Sequence, residues 1–208
     1  VYKRQTEPSL ANGFVTPEEI TGNDVFAIYT CYHGEVGELA YIHEIENQLE
    51  HVTYVHNADD PWRGCKNSEY LKPGETSVLG GLTVHTIWPI TYMPSLAYLC
   101  ETGGLVVYYA DVTSDDLEKH ATDLDYLAGF TGTVDIAFLP AAGFDPDAES
   151  DLKMFVERFS PRAIFLLHTD EDTTRAVRHW LNSRGFDIAV HEAPYPGDSF
   201  VFSDGTIR

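Results

Sequence analysis

Between residues 134 and 190, apolar runs of strand length alternate with amphipathic stretches of helical length: 134–139, 147–159, 163–167, 171–184 and 186–190. Strands separated by helices of this kind join one sheet by crossover connections, with the helices packed on its outer face. A further helix is expected over 114–128, stopped at Gly129. The preceding region has a different period. The runs 77–79, 82–88, 96–101 and 105–110 are separated by Gly80-Gly81 and Thr102-Gly103-Gly104, which predicts strands linked by hairpins.

The first third supplies another layer. Thr16-Pro17-Glu18-Glu19 places a capping threonine, a proline at the first helical position and a glutamate three residues after the cap, and Gly22-Asn23 ends that short helix. Residues 25–29 are continuously apolar, as expected of a strand covered on both faces. Leu39, Ile42, Ile45 and Leu49 then recur at helical spacing, with Glu38, Glu44 and Glu46 on the other face. A second strand is expected over 51–55, followed by a polar loop over 57–72 and, at the far end of the chain, a closing strand over 199–202.

Composition narrows the classes. With 208 residues and 43% hydrophobic content the chain can bury a core and reads as one domain over 6–208. Its first five residues, Val1-Tyr2-Lys3-Arg4-Gln5, resemble the translated end of a sequencing adapter, so 1–5 is expected to be a non-native scar and the domain to be entered partway through. The 33 acidic against 13 basic residues give a net charge of -20, which disfavours nucleic acid and anionic lipid as partners. No stretch approaches the roughly 20 apolar residues of a membrane span, and no signal-peptide pattern opens the chain. Cys31, Cys65 and Cys100 are widely spaced with no C-x-x-C pair, and a cytoplasmic protein is the simplest reading.

Polar or metal-ligating side chains stand at four apolar strand ends, where open α/β sheets expose functional groups. These are the loop Cys31-Tyr32-His33-Gly34-Glu35, Asp111 after 105–110, Ala141-Ala142-Gly143 after 134–140, and His168 after 163–167. Each also has a structural reading: Cys31 as a small buried hydrophobe, Glu35 as a carboxylate at a helix start, Asp111 as a turn cap. Of the other histidines, His43, His120 and His179 are expected to be solvated or hydrogen-bonded. His85 shares a strand face with Thr83 and Ile87, and His56 ends a strand.

The order of these motifs resembles the metallo-β-lactamase superfamily, in particular its small lactonase-like members. Thr30-Cys31-Tyr32-His33-Gly34-Glu35-Val36 stands where the family has Thr-His-X-His-X-Asp-His. Ala110-Asp111-Val112-Thr113 stands at its aspartate motif, Leu139-Pro140 at the next strand end and Leu167-His168 at the last histidine. The resemblance covers roughly 16–203 and implies an α/β, four-layer αββα sandwich whose first sheet is incomplete. It also implies a hydrolase that attacks an ester, lactone or phosphoester through metal-bound hydroxide. By the same resemblance Cys31, His33, Glu35, Asp111 and His168 are the metal residues. Val36 replaces one ligand and residues 89–96 lack another histidine, so the site is eroded and holds at most one zinc-type ion, or none. Three functions therefore stand side by side: a divergent metallo-hydrolase with a small-molecule substrate, a catalytically silent scaffold or interaction domain, and a hydrolase using Cys31 with His33. An incomplete first sheet also implies a free edge for pairing with a second copy.

Overall fold

The computed structural model describes residues 16–20, 24–29, 46–59, 67–88, 95–110, 116–141, 144–192, 200–203 and 206–207. Two sheets stack face to face within them. The smaller has the order β1-β2-β3, all parallel, from β1 (Asp24–Ile28), β2 (His51–Asn57) and β3 (Ser68–Leu71). The larger is seven-stranded, with order β10-β9-β8-β7-β6-β5-β4. Its strands are β4 (Thr76–Leu79), β5 (Leu82–Ile87), β6 (Ala97–Thr102), β7 (Leu105–Tyr109), β8 (Ile136–Pro140), β9 (Ala163–Leu167) and β10 (Ala189–His191).

The hairpin region and the alternating region thus share one sheet. β4 to β7 are antiparallel and β7 to β10 are parallel. Gly80, Gly103 and Gly104 adopt positive φ at the hairpin turns, as the glycine pairs led one to expect. β7 is the junction. It leaves its hairpin antiparallel to β6 and exits into a helix, so its other neighbour, β8, runs parallel to it.

Three helices cover the outer face of the large sheet: α2 (Leu117–Ala128), α3 (Pro146–Phe159) and α4 (Glu171–Ser183), while α1 (Pro17–Ile20) stands at the start of the described chain. Each of the three begins on an aspartate. Asp116 accepts a hydrogen bond from the Lys119 amide, Asp145 from those of Asp147 and Ala148, and Asp170 from that of Thr173. These bonds satisfy amides that the helix itself leaves open. Their buried stripes, including Leu124, Leu127, Leu152, Phe155, Phe159, Val177 and Leu181, pack on Leu99, Tyr108, Ala137, Leu139, Ile164 and Leu166 of the sheet. Between the sheets lies a second core of Val55, Leu71, Leu82, Val84, Leu96, Tyr98 and Cys100. The outer face of the small sheet carries a third cluster, Leu49, Val52 and Tyr54 with Val25, Ala27 and Tyr29. Among the described residues these are the helix, sheet and sheet layers of an αββα sandwich. Of the amphipathic helix expected over 38–49, the described part is a single 3-10 turn, Glu46–Gln48; 38–45 lies outside the described residues.

Two elements differ from expectation. The polar stretch 57–72 contributes β3, because Tyr70 and Leu71 pair with His56 and Asn57 and Leu71 fills the inter-sheet core. The closing strand is instead a two-residue ladder, Phe202–Ser203 with Thr206–Ile207, antiparallel and separate from both sheets. Among the described residues no helix is long and apolar enough to cross a membrane.

The end of α3 is strained. Ser160 caps it in the left-handed region at φ 41°, donating its amide to the Val156 carbonyl. An L side chain there costs roughly 1 kcal/mol that glycine does not incur. Ser160→Gly is therefore expected to raise stability by about 0.5–1 kcal/mol in urea unfolding, and an unchanged or lower midpoint would count against this.

Candidate metal centre

The site is built from strand exits, so its geometry follows from register. β7, β8 and β9 are parallel and level: Tyr109 pairs with Phe138, Phe138 with Phe165, and Pro140 with Leu167. The ladder continues one residue further on each, with the Ala110 amide donating to the Phe138 carbonyl at 3.0 Å and that of Ala141 to the Leu167 carbonyl at 2.9 Å. The chain segments leading to Asp111, to Ala142 and to His168 therefore leave the sheet along one edge. β7 and β9 are separated by one strand, or about 10 Å at ordinary strand spacing.

A cross-sheet bond brings the small sheet to the same edge. Tyr98, fully buried, is the register partner of Tyr109, and its hydroxyl donates to the Tyr29 carbonyl at 2.6 Å. Tyr29 follows the last residue of β1 and stands two positions before Cys31. The carboxyl end of β1 is thus pinned level with that of β7. β2 ends at this edge too, where buried Asn57 donates through Nδ2 to the Ser95 carbonyl and accepts from the Asp59 amide.

Of the five metal residues expected from the sequence, Cys31, His33, Glu35 and Asp111 lie outside the described residues. His168 is described. It is exposed, directly follows β9, and has φ 53°, a left-handed conformation uncommon for a residue with a side chain. Such backbone strain concentrates at ligand and active sites. Among the described residues alone, no three His, Cys, Asp or Glu side chains group as a metal site.

His43 lies outside the described residues, and the other histidines singled out from the sequence resolve by the face they occupy. His85 is turned toward α2: it is buried, bonded to the Thr76 hydroxyl at 2.8 Å and Glu101 at 3.0 Å, and stacked on Phe130. It is a structural histidine away from the inter-sheet cleft. His56 lies on the outer face of the small sheet, stacked between Tyr29 and Tyr70 with ring centroids at 5.0 and 5.3 Å. His179 is exposed, as expected. His120 is not. It is buried under α2, and its Nδ1 has no hydrogen-bond partner among the described residues. The spacing 120, 124, 127 with Leu124 and Leu127 was the available signal, since those positions share one helical face. The surrounding carboxylates obscured it.

Burial is the main reason that the His120 imidazole is held down to about 4; Asp123 pulls the other way, and Lys119 and Arg158 add to the depression. An unfolded histidine titrates near 6.5, so between these values the unfolded chain binds the extra proton. Stability from this group is complete above 6.5 and is lost as pH falls toward 4, on the order of 3 kcal/mol in total. Urea unfolding of wild type and His120→Leu from pH 7 to 4 should show the wild type losing more stability across that window. Parallel profiles would remove His120 as the cause.

The described thiol, Cys100, faces the inter-sheet core, and burial pushes its pKa up to about 12. It is a packing residue, inert as a nucleophile.

No protein-family profile and no curated protein sequence matches the chain. Solved structures do. Igni18, a metallo hydrolase from Ignicoccus hospitalis, superposes with a TM-score of 0.59 at 14% identity over 88% of this chain and 82% of its own. The metallo-β-lactamase fold protein YhfI from Bacillus subtilis gives 0.59 at 15% identity, over 88% and 78%. CmlA, a diiron β-hydroxylase from Streptomyces venezuelae, gives 0.63 at 12% identity over 86% of this chain but 45% of its own, so the present chain spans less than half of that protein. At these identities the likeness is one of fold.

Proposed function

Because this chain has the metallo-β-lactamase fold, we propose that it is a divergent metallo-hydrolase acting on a small ester, lactone or phosphoester, with one zinc-type ion at the common strand edge. The observation that carries this reading is the convergence of the exits from β1, β7 and β9, through the Tyr98–Tyr29 bond and the level register of Tyr109, Phe138 and Phe165. These exits lead to the sequence positions of Cys31, His33 and Glu35, of Asp111, and of His168.

The donor set suits such an ion. One thiol, two imidazoles and two carboxylates are the ligand types zinc takes, and three of them suffice for a tetrahedral site with its fourth position open to water. When bound, such an ion lowers the pKa of a coordinated water toward about 7 and polarises a carbonyl or phosphoryl oxygen. The chain's own part is positional. Tyr98 fixes the entry to the Cys31 loop through the Tyr29 carbonyl, and the left-handed turn at His168 sets where that imidazole departs from β9. Strands on both sides hold β7 and β9, and β1 is held by β2 and the Tyr98 bond, which suits a preorganised site.

The silent-scaffold reading is favoured by one residue. Val36 stands where the resemblance places a ligand, and valine offers no donor atom. Elemental analysis separates the two: after purification without chelator and dialysis against trace zinc, a hydrolase of this kind should carry about one ion per chain. No ion on a folded chain would leave the scaffold.

A further inference from the structure

A cavity of about 50 Å³ lies on the helix side of the large sheet, beneath the ends of β7, β8 and β9, and away from the inter-sheet cleft. Ala110, Leu139, Leu152, Leu166 and Val177 form its apolar wall. Tyr108, His120 and Asp151 supply its polar groups. His120 is only 7% exposed, and its Nδ1 finds no hydrogen-bond partner among the described residues. A buried ring nitrogen left unbonded is unfavourable, and native structures rarely tolerate it without an occupant that completes the bond.

We propose that this cavity is a binding site for a small neutral hydroxyl-bearing molecule, water or a short alcohol, anchored on His120 Nδ1. Size and polarity set the class. A water needs roughly 10–15 Å³, so three to five fit, whereas benzene fills cavities of roughly 150 Å³ and a ring is excluded. The apolar wall disfavours a charged guest. The hydroxyl matches the three polar groups, since it can donate to the neutral imidazole nitrogen or to a carboxylate and accept from a phenol. Burial, with the carboxylates of Asp151 and Asp123 nearby, raises the pKa of the Tyr108 phenol and keeps it a donor. His168, the one metal residue among those described, is not among the described residues that line it.

Nuclear magnetic resonance on the labelled full chain tests this with three probes: bulk water, ethanol and xenon. The expected result is long-lived water cross-relaxation at the His120 ring, saturable ethanol shifts at the Leu152 and Val177 methyls, or both. Cross-relaxation alone identifies water as the occupant; ethanol shifts identify a site open to alcohols. Ala148→Leu, which fills the wall, should abolish the ethanol response at least tenfold in affinity while the helix amide pattern persists. Should that variant misfold, His120→Leu should weaken ethanol by a similar factor and create a xenon response. Saturable xenon shifts in wild type without a water or ethanol signal, ethanol shifts that survive both substitutions, or silence from all three probes would each overturn the proposal.

Discussion

His168→Asn is expected to strip the proposed zinc-type ion from the protein while leaving it folded. The choice of asparagine follows from the backbone. His168 sits at φ 53°, where most side chains are strained but asparagine is comparatively tolerated. An alanine there would confound loss of a ligand with loss of the turn, whereas asparagine keeps the turn and withdraws the imidazole. Changes to groups that merely support ligands cost tenfold to a hundredfold in metal affinity, so loss of a direct ligand should exceed about a hundredfold. In the proposed site His168 is one of two imidazoles and one expected position is already valine, so the remaining donors replace it poorly. Competition against a chromophoric chelator gives the affinity, and elemental analysis the stoichiometry, which should fall from about one to none. His168→Gly is the companion variant, relieving the backbone and equally unable to ligate. Wild-type affinity in both would remove His168 from the site and, with it, the register argument for the edge.

The largest effect on stability is expected at Phe159. It is fully buried at the end of α3, packs against Phe155 with ring centroids 5.0 Å apart, and its carbonyl accepts the Val134 amide as the chain enters β8. The ring therefore fills the space where the last turn of the helix meets the start of the adjacent strand. Phe159→Ala removes most of that volume from a core whose backbone is fixed on both sides and has little room to relax. Such truncations cost about 3–5 kcal/mol, the transfer of the lost atoms plus the cavity left behind. Equilibrium urea unfolding followed by circular dichroism should show a much lower midpoint at a similar slope. A loss under about 1 kcal/mol would mean that the interface of α3 with the sheet collapses readily, contrary to the packing described above. Phe130 makes a useful contrast: it lies just beyond the end of α2, is 45% exposed and rests on the His85 ring, and its removal should cost less.

Much of this architecture is legible in the chain itself. The alternation over 134–190 fixes the order of three strands and two helices, β9 to the residue, because period and length both point the same way, while β10 starts three residues later than its apolar run. Three aspartates mark the helix starts, and paired glycines mark the hairpins. The ordering of Asp111, Pro140 and His168 at strand ends is a one-dimensional fact, and so is the replacement of a ligand by Val36. What the sequence leaves open is everything that depends on which strands become neighbours. β3 has little apolar content, and only pairing with β2 makes Ser68–Leu71 a strand. His120 lies on a helix crowded with carboxylates, and only the approach of α2 to the sheet turns it inward. His85 alternates correctly for either face of its strand, and the position of α2 decides that it is structural. Above all, the shared edge of β1 and β7 rests on a hydrogen bond between residues 69 positions apart, Tyr98 to Tyr29. Local propensity determines which segments become strands and helices; the sheet register, set by long-range pairing and burial, determines which chemical groups meet.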